Sequence, residues 1–384
     1  MLIYNARIFT MESGVIENGW LETNGGVISG LGAMETMPPA DGERFDAQGG
    51  ALLPGLIDAH THLGMWEDSL GFEGDDGNED TEPSTPQLRA VDAVNPQDRC
   101  FDDALAAGVT AILTGPGSAN PVGGRMAVLR TFGRRVDDML LKPDAAMKFA
   151  LGENPKTVYH GKNQMPVTRM ATAAIIREQL FKAKKYGEKL EKAREDEDAD
   201  EPEFDLHSEA LLPVLSRKMQ AHFHAHRADD IFTAIRISKE FNLDYVIIHA
   251  TEGHLIAPEL KAEGAPVLSG PFLCDRSKPE LRCQTPESPG IMARVGLCPC
   301  IITDHPVIPI QYLTLCAGLA VRYGMEYDEA LRAVTLYPAR VLGLDDRIGS
   351  LRAGKEADLA VFDGDPFALS THVRLVAVGG RRVK

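Results

Sequence analysis

Along the first fifty residues, apolar and polar positions alternate in short stretches, at 2–9, 14–17, 20–23 and 27–30, broken by Gly and Asn turns. Side chains alternate across a strand with a period of two, so this pattern predicts β-strands and no helix. The last forty residues read the same way, with a strand at 357–362 and another at 374–378 that turns through Gly379-Gly380 into a final strand at 382–383. Neither end alone has enough strands for a core. Together they predict one discontinuous β-sandwich domain built from residues 1–52 and 345–384. Residues 53–344 behave differently: short apolar runs at 56–59, 109–113, 136–141, 145–151, 219–225, 245–249, 266–269 and 297–303 alternate with longer stretches of helical spacing. Eight such units predict an α/β domain of the (β/α)8 TIM barrel type. A doubly wound sheet is the alternative, but no G-x-G-x-x-G or Walker-type loop supports it.

Two segments interrupt this rhythm. Residues 65–98 follow the first barrel strand and carry Glu73, Asp75, Asp76, Glu79, Asp80 and Glu82 with three prolines, which predicts a long acidic loop on the functional rim. Residues 168–190 have helical spacing through Met170, Ala174, Ile176, Leu180 and Phe181, then run into the acidic stretch 195–201, predicted as a solvated connection.

The chain of 384 residues holds 40 Lys and Arg against 56 Asp and Glu, a formal charge of −16. A polyanion would be repelled, which argues against a nucleic-acid partner and leaves a small molecule as the expected one. No run of about 18 apolar residues occurs, so no membrane span is expected. The first seven residues read as a strand rather than a secretory leader, and a cytoplasmic location is the default expectation. Six cysteines without a C-x-x-C pair make a disulfide framework unexpected. Homo-oligomerisation is left open.

The strongest chemical signal is Pro54-Gly55-Leu56-Ile57-Asp58-Ala59-His60-Thr61-His62, an apolar strand ending in H-x-H. Two His separated by one residue project to the same face of a strand and can grip one metal ion. Alone, such a pair is more often two surface histidines. Other strand ends match it, however. His224 closes the fifth candidate strand, His249 closes the sixth, and Asp304 follows the eighth. A barrel gathers the carboxyl ends of its strands into one site, so four His and one Asp so placed point to a metal centre.

On these motifs, with Thr303-Asp304-His305-Pro306 and the closing Gly354-Lys355-Glu356-Ala357-Asp358-Leu359, the chain resembles the amidohydrolase superfamily over nearly its whole length, in particular the branch of imidazolonepropionase-like and prolidase-like proteins. The resemblance implies two divalent ions, zinc being the first choice. His60 and His62 would bind the more buried ion and His224 and His249 the more exposed one, while Asp304 would touch the buried ion and act as general base. It also implies a bridging anion, often a carboxylated lysine on the fourth strand. Lys148, inside the apolar run 146–151, is costly as a bare cation and sensible as a carbamate, so it stands ahead of Glu153 as bridge.

A side chain that snorkels out past the strand remains the other account of Lys148. His254 and His226 are candidates to orient a ligand or contact substrate, with a supporting role for each at least as expected. Asn120, in the glycine-rich loop after the second strand, is a candidate polar contact; its loop is otherwise a tight connector. Arg276 is a candidate clamp for a substrate carboxylate, against the plainer account of a bond to Asp275 or a neighbouring loop. His222 would lie one layer deeper than His224, in the core.

The chemistry expected of such an array is hydrolysis of a C–N bond in an amide, cyclic amide or small peptide-like molecule, by a metal-activated hydroxide with Asp304 moving the proton. Ring deamination is the runner-up, and a metal-free, non-catalytic scaffold is the alternative outside enzymes.

Overall fold

The computed structural model describes residues 1–39 and 42–384. The N-terminal part forms β1 (Leu2–Phe9), β2 (Val15–Asn24), β3 (Val27–Ala33), β4 (Arg44–Asp46) and β5 (Ala51–Pro54). The barrel strands follow: β6 (Leu56–Thr61), β7 (Val109–Thr114), β8 (Val122–Arg130), β9 (Leu140–Ala150), β10 (Gln220–Ala225), β11 (Tyr245–His249), β12 (Val267–Ser269) and β13 (Cys300–Ile301). The chain then returns through β14 (Leu359–Phe362), β15 (Val373–Val378) and β16 (Arg381–Arg382).

Strands β6 to β13 lie side by side in sequence order, with helices between most of them, and form the eight-stranded barrel. Every residue of β6 and β7 is buried, as expected for strands covered on one face by helices and on the other by the barrel interior. The ladder does not run between β6 and β13. That seam is held instead by the Asp58 carboxylate, which accepts from the backbone N–H and the hydroxyl of Thr303, and by the His62 N–H donating to the His305 carbonyl at 2.8 Å.

One barrel strand differs from the expected set. Residues 136–141 split between a short helix, Val136–Met139, and the start of β9. The third strand is β8, which pairs antiparallel with both β7 and β9. No helix separates β7 from β8; the loop 115–121 turns the chain straight back. Gly123 and Gly124 in β8 weaken the strand signal. The structure needs the second of them to be small, because a Cβ on Gly124 would meet the Leu88 carbonyl oxygen at 2.9 Å, and the first packs closely on Lys148.

The two chain ends meet in a second sheet, ordered β16-β15-β14-β5-β1-β2-β3, with β4 also on β1. In its middle, β5 pairs with β1 on one side and with β14 on the other. Its β3 edge comes round to the segment that leads into β14: Val27 bridges Glu356, and the Gly26 carbonyl accepts from Ala357 N at 2.9 Å. The sheet thereby folds over its own core of Ile3, Leu21, Leu52, Leu359 and Leu375. Arg130 at the end of β8 bonds the carboxylates of Asp358 and Glu356 and so ties the barrel to this sheet. The helix predicted at 168–190 runs from Arg169 to Glu195, capped by the Thr168 hydroxyl, which accepts from Ala171 N. The acidic run beyond it is irregular and mostly exposed.

Candidate active site

The carboxyl ends of β6, β10, β11 and β13 deliver their polar residues to one mouth of the barrel. His60 Nε2 and His62 Nε2 each lie 3.3 Å from Asp304 Oδ1. Donors held about 2.1 Å from one ion in a tetrahedron are separated by roughly 3.4 Å, so this trio is spaced for a metal. Its ligand atoms all lie within 4.8 Å of one another, as do those of a second trio, His224, His226 and His249. Backbone geometry shapes the mouth: His249, Ala250 and Asp304 have φ of 73°, 45° and 56°, a left-handed conformation that costs an L-residue roughly 1–2 kcal/mol and turns the chain sharply at the strand ends.

Several imidazoles are oriented from behind. His62 Nδ1–H donates to the Gly115 carbonyl and His249 Nδ1–H to the Gly270 carbonyl, both at 2.7 Å. A carbonyl can only accept, so each ring carries its proton on Nδ1 and presents the Nε2 lone pair to the mouth. His224 Nδ1 lies 2.8 Å from the Ser118 hydroxyl and His226 Nδ1 2.7 Å from the Thr251 hydroxyl. The buried Nε2 of His224 has no hydrogen-bond partner in the protein, which fits a metal ligand.

Burial pushes His60, His224 and His226 well below the ordinary imidazole range and His249 to about 4. Neutral imidazole is the form that binds metal. For Asp304, burial opposes ionisation, but His249, His60 and His62 outweigh it and hold the carboxyl well below its usual range. Lys148 is fully buried, its Nζ 3.2 Å from His60 Nε2. Burial lowers it to about 7 despite the nearby charge of Asp304.

A cavity of about 540 Å³ opens above these groups, lined among others by His62, Trp66, His224, His249, Lys278 and Asp304. A neighbouring chamber of about 560 Å³ shares Asn78 and Gly117 with it and is walled by Asp75, Asp76, Glu79 and Asp80. The acidic loop therefore does sit on the rim.

Other residues singled out in the sequence are placed as follows. Glu153 lines the cavity but lies outside both donor trios; its Oε2 accepts from Glu280 N at 3.2 Å. Asn120 is buried with its amide committed to Glu79 O, Thr85 Oγ1 and the Tyr159 hydroxyl, and it borders the acidic chamber rather than the histidine cavity. Arg276 donates to the Gln284 carbonyl at 2.7 Å, the neighbouring-loop account, and does not line the cavity. His254 sits on the short helical turn Gly253–Ile256, also outside that lining. His226, expected as a substrate contact, lines the cavity and also stands among the donors of the second trio. His222 is fully buried below them.

Two carboxylates at the site escape the sequence reading. Asp58 lay in view as a charged residue inside an apolar strand, a signal in itself; burial pushes it up to about 7 against the bonds from Thr303 and His60. Glu280, in Pro279-Glu280-Leu281 after β12, carries no pattern at all, and only the fold brings it to His226.

The chain is similar to several known proteins. An amidohydrolase from Thermotoga maritima MSB8 superposes with a TM-score of 0.96 at 42% identity, covering 100% of this chain and 99% of that one. The amidohydrolase tasK of Hapsidospora irregularis is 31% identical over 354 residues, 86% of this chain but only 36% of that protein, so this chain spans about a third of its length. An imidazolonepropionase of Mesorhizobium japonicum is 26% identical over 94% of this chain and 91% of its own. The model of the amidohydrolase family matches residues 51–383, and that family gathers hydrolases of C–N bonds, deaminases among them. The chain belongs to the amidohydrolase family.

Proposed function

We propose that the protein is a metal-dependent hydrolase that cleaves a C–N bond in an amide, a cyclic amide or a small peptide-like molecule. The observation that carries this reading is the convergence of His60, His62 and Asp304 beside His224, His226 and His249, all but the fully buried His60 lining one cavity. Divalent ions there, zinc first, would supply Lewis acidity, making water acidic enough to act near neutral pH and polarising the scissile carbonyl.

The residues supply the rest. His60, His62 and Asp304 would hold one ion, and His224 and His249 the other. Lys148, lowered to about 7 by its burial, is in good part the amine that can take up CO2, and as a carbamate it would bridge the two. Asp304, kept ionised by its imidazole neighbours and facing the cavity, takes the proton of the attacking water and returns it to the leaving nitrogen. Small molecules are the expected substrates, and among the described residues no helix is long and apolar enough to cross a membrane.

The test is elemental analysis of purified protein, followed by a screen of N-acyl amino acids, dipeptides and cyclic amides for amine release. Bound metal and turnover in that screen support the reading. Ammonia release from a ring amine alone would reassign it to deamination, and trace metal with no turnover would favour a scaffold.

A further inference from the structure

Glu280 is 1% exposed, and its two carboxylate oxygens have different surroundings. Oε2 accepts from Glu153 N at 3.0 Å, while Glu153 Oε2 accepts from Glu280 N at 3.2 Å, a reciprocal pairing that ties the loop after β12 to the one after β9. Oε1 faces the histidines. It lies 3.5 Å from His226 Nε2 and 3.8 Å from His224 Nε2. Neither contact is a hydrogen bond, and both Oε1 and His224 Nε2 are buried without a hydrogen-bond partner. Lys278 Nζ lies 2.7 Å from the same oxygen and forms an ion pair with it.

Lys278 reaches only Oε1, and a ring whose proton is on Nδ1, toward Ser118 or Thr251, turns its Nε2 lone pair to the same buried space, where a shared metal cation would satisfy both groups. Separations of 3.5 and 3.8 Å are close to the roughly 3.4 Å edge of a tetrahedral zinc site. We propose that Glu280 is a protein ligand of the second metal ion, beside His226 and His224. This rests on the metal-dependent reading above. It gives His226 a place in the metal shell rather than against substrate. Lys278 then plays the opposite part: its ammonium competes with the ion for the same oxygen.

Metal-free protein is titrated with Zn²⁺ against a chromophoric chelator, and separately with Co²⁺ while the visible spectrum is followed. Wild type should take up two ions. Glu280→Gln keeps an oxygen for the Glu153 N–H but turns an amide nitrogen, without a lone pair, toward the histidines. It should bind one ion with unchanged affinity and the second at least about 100-fold more weakly, since loss of an outer-shell partner alone costs 10–100-fold. The Co²⁺ spectrum of that second ion should change as well. Lys278→Met should keep both ions, the second held as tightly or more so. His226→Asn provides a further check should Glu280→Gln fail to fold, and should weaken the same ion alone.

Wild-type affinities for both ions in Glu280→Gln would overturn the proposal while leaving the hydrolase reading intact. Equal loss of the second ion in Lys278→Met would also overturn it, because Glu280 would then act only by placing Lys278. A wild-type protein that takes up no ion would overturn both readings.

Discussion

The Asp58 carboxylate receives both the backbone N–H, at 3.1 Å, and the hydroxyl of Thr303, and so clasps β6 to the segment that follows β13. Its other oxygen accepts from His60 N at 3.2 Å, which places the clasp immediately behind His60 and Asp304. Asp58→Ala would leave three buried donors without a partner, at about 1–3 kcal/mol each. We expect it to lower stability by at least about 3 kcal/mol in urea unfolding and to reduce metal content. Asp58→Asn, which keeps one acceptor oxygen, should lose less. An unchanged unfolding midpoint for Asp58→Ala would show that the clasp does not stabilise the barrel.

Asp304→Asn keeps the size and one oxygen of the carboxylate but removes its capacity to accept a proton. Proton transfer by a positioned group typically contributes about 10² to 10⁴ in rate, so kcat should fall by at least that range when compared per bound metal. A fully metallated variant with kcat near wild type would mean that another group moves the proton.

For the bridge, Lys148→Ala should lose an ion and most activity, with partial recovery on adding bicarbonate and a short carboxylic acid in place of the carbamate. Glu153→Ala, which removes only a bond to the Glu280 N–H, should keep the ion at His60, His62 and Asp304 and at most loosen the second. If metal content responds to Glu153→Ala and not to Lys148→Ala, the assignment of the bridge is reversed.

His222 predicts a pH dependence. Burial, followed by the charges of Lys148 and Lys142, depresses it to about 3 in the folded protein, against about 6.5 in an unfolded chain. Between these values the unfolded state binds the extra proton, so stability falls as pH drops, by about 1.4 kcal/mol per pH unit for this one group. Replacing it in His222→Gln should flatten that slope, shrinking the loss between pH 7 and pH 5 by about 2 kcal/mol in urea unfolding of the metal-free protein. Parallel slopes in the two proteins would show that His222 does not titrate in this window.

How much of this was legible in the sequence depends on how local each signal is. The H-x-H of β6 and the strand ends at His224, His249 and Asp304 stand out because a two-residue period and an apolar run are local properties. Strand β8 is hidden by its glycines, which serve tertiary packing against Lys148 and the Leu88 backbone rather than strand propensity. Glu280 is hidden for a different reason. Its role depends on the loop after β12 folding across to the loop after β9, and no spacing along the chain records that encounter. The internal bonds of Asn120 were not legible, because a polar side chain in a glycine-rich loop looks the same in sequence whether it faces a ligand or the protein interior.

The folded-over sheet made by both chain ends has a consequence for synthesis on the ribosome. Strands β1 to β5 emerge first, yet β5 lacks its partner β14 until nearly all of the barrel has been made. During that interval β5 offers an unpaired, wholly apolar edge of Ala51, Leu52, Leu53 and Pro54. Such an edge is a template for pairing with another nascent chain. Slow elongation through the barrel would lengthen that exposure, so aggregation in cells should track the time needed to reach Phe362 more closely than the stability of the finished fold.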